Sequence, residues 1–101
     1  MYSESEIIIE FLNFITKMGD LHSLWFVEVS AKPVDEIIRK HNLDAEKDIW
    51  IFKTANSPFE AKRIYEYFTG FIGTDGVYSN NDNEPKNIFM FRKDRPITNN
   101  G

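Results

Sequence analysis

Three short apolar runs punctuate this chain: Leu24-Trp25-Phe26-Val27, Ile49-Trp50-Ile51-Phe52 and Ile88-Phe89-Met90-Phe91. Each is rich in β-branched and aromatic residues and too short for a helix, which predicts three strands. Both alternating sets of positions are apolar. In the second run Ile49 and Ile51 face one way while Trp50 and Phe52 face the other. A strand apolar on both faces belongs to a sheet covered on both sides. Trp25, Phe26, Ile49, Trp50, Ile51, Phe52, Phe89 and Phe91 are therefore expected to be largely buried.

Helical periodicity fills the intervals. Ser3 and Glu6 have the spacing of a capping box, in which hydroxyl and carboxylate each serve an otherwise free backbone N–H. Ile7, Ile8, Phe11, Leu12, Phe14, Ile15 and Met18 then spread over a wide arc, leaving Glu6, Glu10, Asn13 and Lys17 as a narrow polar stripe. Gly19 fits a left-handed stop. So wide an arc either lies deep against the sheet or offers surplus surface to a partner, and core packing is the favoured reading. The first strand runs from Leu24 to Val29, its second face interrupted by Glu28. Pro33 suits a first helical position, Val34, Ile37, Ile38 and His41 recur at helical spacing, and Asn42 suits a left-handed terminator. Ser57-Pro58-Phe59-Glu60 is a second capping box, with Ala61, Ile64, Tyr65, Phe68, Phe71 and Ile72 as the buried side of the helix it opens.

From Gly70 to Lys86 periodicity vanishes, which predicts a long polar loop. In so small a domain such a loop is either functional or disordered. The last strand ends at Lys93, and residues 94–101, with Pro96 among them, are expected to fray. The predicted architecture is α+β in the order helix, strand, helix, strand, helix, strand. It forms one domain over residues 1–93, a three-stranded sheet with helices on both faces.

At 101 residues, 42% hydrophobic and 15% aromatic, the chain suits one folded domain with a modest core. It has no cysteine, which excludes disulfides, thiolate metal sites and a cysteine nucleophile. Stability then rests on packing, with nine Phe, four Tyr and two Trp to supply it. No run reaches membrane-spanning length, and the acidic start lacks the basic region of a signal peptide, so a cytoplasmic protein without membrane contact is expected. The net charge of −4, from 16 acidic and 12 basic residues, provides no global field for a phosphate backbone. That weakens a nucleic-acid reading and leaves room only for a local patch.

Few residues carry an obvious chemistry. His22 and His41 have no Ser, Cys or second His at informative spacing, so a hydrolytic triad has no support and packed or partly exposed histidines are favoured. Asp75, Asn80, Asn81, Asp82, Asn83 and Glu84 supply oxygen ligands, but the central Gly and spaced Glu of a calcium loop are missing and solvated turn residues are the better reading. Gly70, Gly73 and Gly76 follow a helix and precede a strand, the wrong context for a phosphate cradle. Arg92, Lys93 and Arg95, with Arg39, Lys40, Lys62 and Arg63, would form a nucleic-acid groove only by converging in space; solvated faces are favoured.

One resemblance does emerge. Trp25-Phe26-Val27, Lys32-Pro33, His41-Asn42 and Ile49-Trp50-Ile51-Phe52, continued by Ala61-Lys62-Arg63-Ile64-Tyr65-Glu66-Tyr67-Phe68 and Gly73-Thr74-Asp75-Gly76, resemble a group of small bacterial and phage GIY-YIG-like proteins over roughly residues 25–93. The resemblance implies a small three-stranded sheet flanked by helices, and metal-dependent phosphodiester cleavage wherever the catalytic positions match. Here they do not. Glu28 stands for the Gly of the second signature strand, Asp35 and Glu36 stand where the catalytic Arg belongs, and Tyr65 replaces the metal-binding Glu, with Glu66 one residue on and rotated to another face. The first signature strand, with its Tyr, is not recognisable. Cleavage needs a cation held by a carboxylate and positive charge near the phosphate, so the chain reads as the scaffold with its chemistry removed.

The expectation is therefore a non-catalytic binding or regulatory module that recognises another protein and uses no metal or cofactor. Its candidate surface is Glu28, Tyr65, Glu66 and Asp75, with Val77 and Tyr78 as loop anchors because Tyr is enriched at interfaces. The alternative is a metal-dependent nuclease or nucleic-acid-binding protein with a rearranged site.

Overall fold

The first capping box forms as expected. Ser3 Oγ accepts from the Glu6 N–H at 3.2 Å and Glu6 Oε1 accepts from the Ser3 N–H at 2.9 Å. Together they open α1 (Glu4–Met18), which ends at left-handed Gly19. The bond from the Ser3 N–H, and then the one to its hydroxyl, hold the Glu6 carboxyl below its ordinary value. A depressed folded value means that this contribution is complete above the ordinary carboxylate range and is lost as pH falls through the folded value. Ser3→Ala is expected to remove about 1 kcal/mol and to flatten the acid limb of a plot of melting temperature against pH.

The computed structural model describes residues 1–19, 22–79 and 83–93; Asn80, Asn81 and Asp82 of the expected loop, Arg95, and the tail 94–101 lie outside them. The apolar runs become β1 (Trp25–Ser30), β2 (Trp50–Thr54) and β4 (Asn87–Arg92). The sheet nevertheless has four strands, not three, in the order β2-β4-β1-β3. Strand β3 (Asp75–Tyr78) lies inside the stretch expected to be loop and pairs parallel to β1, while β4 is antiparallel to both β1 and β2.

Helices cover both faces of this α+β sheet. On one face α1, α3 (Pro58–Glu66) and the turn that follows it pack Ile7, Phe11, Ile15, Ile64 and Phe68 against Trp25, Val27, Val29, Ile88 and Met90. On the other, α2 (Val34–Lys40) sets Ile37 on Phe89 and Phe91. Pro33 stands at the cap of α2 rather than inside it, and Asn42 takes the left-handed conformation just beyond its end. Among the described residues no helix is long and apolar enough to cross a membrane.

Five burial expectations need correcting. Trp25, Phe89 and Phe91 are buried, but Phe26, Ile49, Trp50, Ile51 and Phe52 are only half-buried. Strand β2 is a sheet edge, so its side chains have a neighbouring strand on one side only. Its outer side meets the chain start, where the Tyr2 N–H donates to the Thr54 carbonyl at 2.9 Å. Lys53 lies 4.3 Å from the Tyr2 ring centre and 3.2 Å from Glu10 Oε1, and the Glu10 contact lifts Lys53 above the ordinary lysine range.

Beyond α3 the chain does not continue as an α-helix. Residues Tyr67–Ile72 form a π turn, closed by the Gly73 N–H on the Phe68 carbonyl at 2.8 Å. The wider i→i+5 turn changes which side chains share a face. Phe68 stays fully buried, while Phe71, expected beside it on the core side, is 77% exposed.

Strand β3 depends on Gly76. A Cβ there would lie 2.6 Å from the Val27 carbonyl oxygen and 2.9 Å from Tyr65 Cε1, and the carbonyl cannot move without disturbing the ladder. Gly76→Ala is expected to lose about 2 kcal/mol through this overpacking, measurable as a lower urea midpoint with an unchanged m-value.

Candidate functional site

The expected surface residues divide between the two faces of the sheet at its β1–β3 end. In the ladder Asp75 lies beside Phe26, and Val77 beside Glu28. Side chains alternate along a strand, so Asp75 and Val77 share the α2 face with Phe26 and Glu28, whereas Tyr78 points to the α3 face. There it packs on Tyr65 with ring centres 5.7 Å apart. Glu66, one residue further along α3, is exposed. The six residues do not form one surface.

Glu28 is not on the surface at all. It is 1% exposed, and the C-terminal end of α2 reaches over it. Lys40 Nζ lies 2.8 Å from one carboxylate oxygen and His41 Nε2 lies 2.6 Å from the other. With Glu28 as a carboxylate both oxygens accept, so His41 Nε2 carries the hydrogen. The imidazole is wedged against Phe26 and Phe91, at ring-centre distances of 5.3 and 4.8 Å. A buried acid demands partners, and α2 supplies two from adjacent positions at its end. Sequence periodicity placed His41 on the apolar side of its helix. It gave no sign that this side would meet a carboxylate, because the partners are 12 and 13 residues apart.

Asp75 is also engaged, accepting from Lys93 across the strand end. The cations nearest the candidate residues, Lys40 and Lys93, are thus both matched by acids. Among the described residues no group of three His, Cys, Asp or Glu side chains is arranged to hold a metal ion. Tyr78 has folded back onto the protein, and Val77, at 38% exposure, is the loop anchor that remains open.

A different surface went unread in the sequence. Phe59 and Phe71 are 68% and 77% exposed, and Ile9 of α1 is 57% exposed. Between them the Arg63 guanidinium lies over the Phe59 ring at 5.7 Å and bonds to Glu4 at 3.1 Å. Arg63, Ile8 and Ile9 line a shallow groove between α1 and α3. One turn beyond Arg63, Tyr67 stacks on Phe71 at 5.4 Å. The positions 59, 63, 67 and 71 repeat every fourth residue, a helical column. Phe59, Arg63 and Tyr67 could be counted off in the sequence, but α-helical spacing puts Phe71 beside Ile64 and Phe68, and it stands with Tyr67 only because of the π turn.

The chain matches no family model, no curated protein and no solved structure.

Proposed function

We propose that this protein is a non-catalytic recognition module whose partner is another protein, built on a GIY-YIG-like scaffold that has lost its catalytic positions. The observation that carries the reading is the strip Ile9, Phe59, Arg63, Tyr67 and Phe71. Isolated exposed apolar residues need no explanation, but an arginine over Phe59 followed along the same stretch by the Tyr67–Phe71 stack has the composition of interface hot spots. Two phenylalanines left largely in water forgo burial that would be worth on the order of 1.5–3 kcal/mol each, which a partner surface would recover. The engagement of Glu28 by Lys40 and His41, and the packing of Tyr65 on Tyr78, support the non-catalytic half of the proposal, since these groups are already occupied with one another.

The test compares the wild-type chain with a Phe59→Ser, Phe71→Ser variant. Both rings are mostly in solvent, so melting should be nearly unchanged while partner capture from the native host is lost. Capture that survives the double substitution removes the strip as the recognition surface. Plasmid, single strands and RNA in Mg²⁺ and Mn²⁺ should remain intact; cleavage abolished by Glu66→Gln would establish the nuclease reading instead.

A further inference from the structure

We propose that the open edge of β3 pairs with the same edge of a second copy across a two-fold axis, extending two four-stranded sheets into one of eight. This surface is separate from the strip on α1 and α3 and does not depend on it.

The ladder shows which backbone groups are available. The Ser79 N–H donates to the Val29 carbonyl at 3.0 Å. Backbone N–H and C=O alternate sides along a strand, so Asp75, Val77 and Ser79 turn theirs toward β1. Gly76 and Tyr78 turn theirs outward, on the edge where the sheet order ends. The opposite edge of the sheet is engaged by Tyr2 on β2, but no described residue pairs with β3 on its outer side. Exposed edges are ordinarily guarded by an inward charge, a proline or a bulge. Strand β3 is short, but it has no proline and no bulge, and its one charged side chain, Asp75, is matched by Lys93.

Self-pairing fits because one register satisfies every position. A two-fold axis through Val77 sets Gly76 opposite Tyr78 of the second copy, and Tyr78 opposite Gly76. The residues with outward backbone groups then form the hydrogen-bonded pairs, four bonds in all. Each tyrosine crosses from a glycine, so no two bulky side chains collide. Asp75 falls opposite Ser79, so no like charges meet. Val77, the exposed apolar residue of the strand, meets its own copy at a non-hydrogen-bonded position, where side chains approach most closely.

Sedimentation of the full chain over a concentration series should show a monomer–dimer equilibrium. Val77→Lys places like charges across the axis and should leave only monomer, with melting close to wild type at concentrations low enough that both are monomeric, because Val77 is partly exposed. The chain has no cysteine, so Val77→Cys introduces one thiol pair, separated by about 4.5 Å between Cα atoms and within the ~4.4–6.8 Å that a disulfide spans. Under mild oxidation it should give a covalent dimer much faster than Lys47→Cys, an exposed control outside the strand. A chain that stays monomeric and whose Val77→Cys form cross-links no faster than the control overturns the proposal. So does a dimer that Val77→Lys leaves intact.

Discussion

Phe89→Ala is expected to bring this protein close to unfolding at room temperature. Phe89 is fully buried in β4, an inner strand with a neighbour on each side. Its ring packs against Trp50, Phe52 and Phe91 at 5.5, 6.4 and 5.9 Å between centres. Truncating such a ring loses on the order of 3–5 kcal/mol, against a total of roughly 5–15 kcal/mol for a domain. Trp50 provides the contrast. It lies on edge strand β2, is half-buried, and donates from Nε1 to the Ala45 carbonyl at 3.0 Å. Trp50→Ala should lose about half as much, in proportion to the smaller area returned to water. Urea melts of the two variants measure the ratio, and equal losses would mean that β2 is as enclosed as β4.

The second large effect is electrostatic. Replacing Lys40 and His41 together by alanine leaves the Glu28 carboxylate buried without either partner. Stranding a buried charge in this way costs on the order of 3–5 kcal/mol, which in a domain of this size lowers the melting temperature by roughly 15 °C or more. Lys40 alone should matter less, since its side chain is 48% exposed and the pair is partly screened. His41 also packs on Phe26 and Phe91, so the double variant loses contacts as well as charge. Repeating it in a Glu28→Met background separates the two losses. The double substitution should be much milder there, and an undiminished loss would show that packing, not the carboxylate, sets the cost.

The sequence was most legible where a local rule decided the outcome. Ser3 with Glu6, Gly19, Asn42 and the β-branched aromatic runs each act through neighbours a few residues away, and the elements they predict are present. Strand β3 was hidden because Asp75 and Gly76 are poor strand formers. What makes them a strand is the parallel pairing with β1, a contact across some fifty positions that no local pattern records. The π turn was hidden for a related reason. Helical spacing placed Phe71 beside Phe68, and the one inserted step that separates them is a property of the closed turn. Glu28 could be seen as an interruption in an apolar strand, but its partners became visible only when α2 was laid across the sheet.

The strand order also fixes when the sheet can assemble. Strand β4 is the last in sequence, yet β1 and β2 are joined only through it. Until it is synthesised, β1 can pair only with the short β3 and β2 has no neighbouring strand, so the two aromatic runs are not joined in one sheet. Long-range pairing of this kind slows folding and prolongs the exposure of unpaired edges. A ribosome-bound chain that stops before Asn87 should therefore remain protease-sensitive throughout, and resistance should appear in one step once β4 emerges.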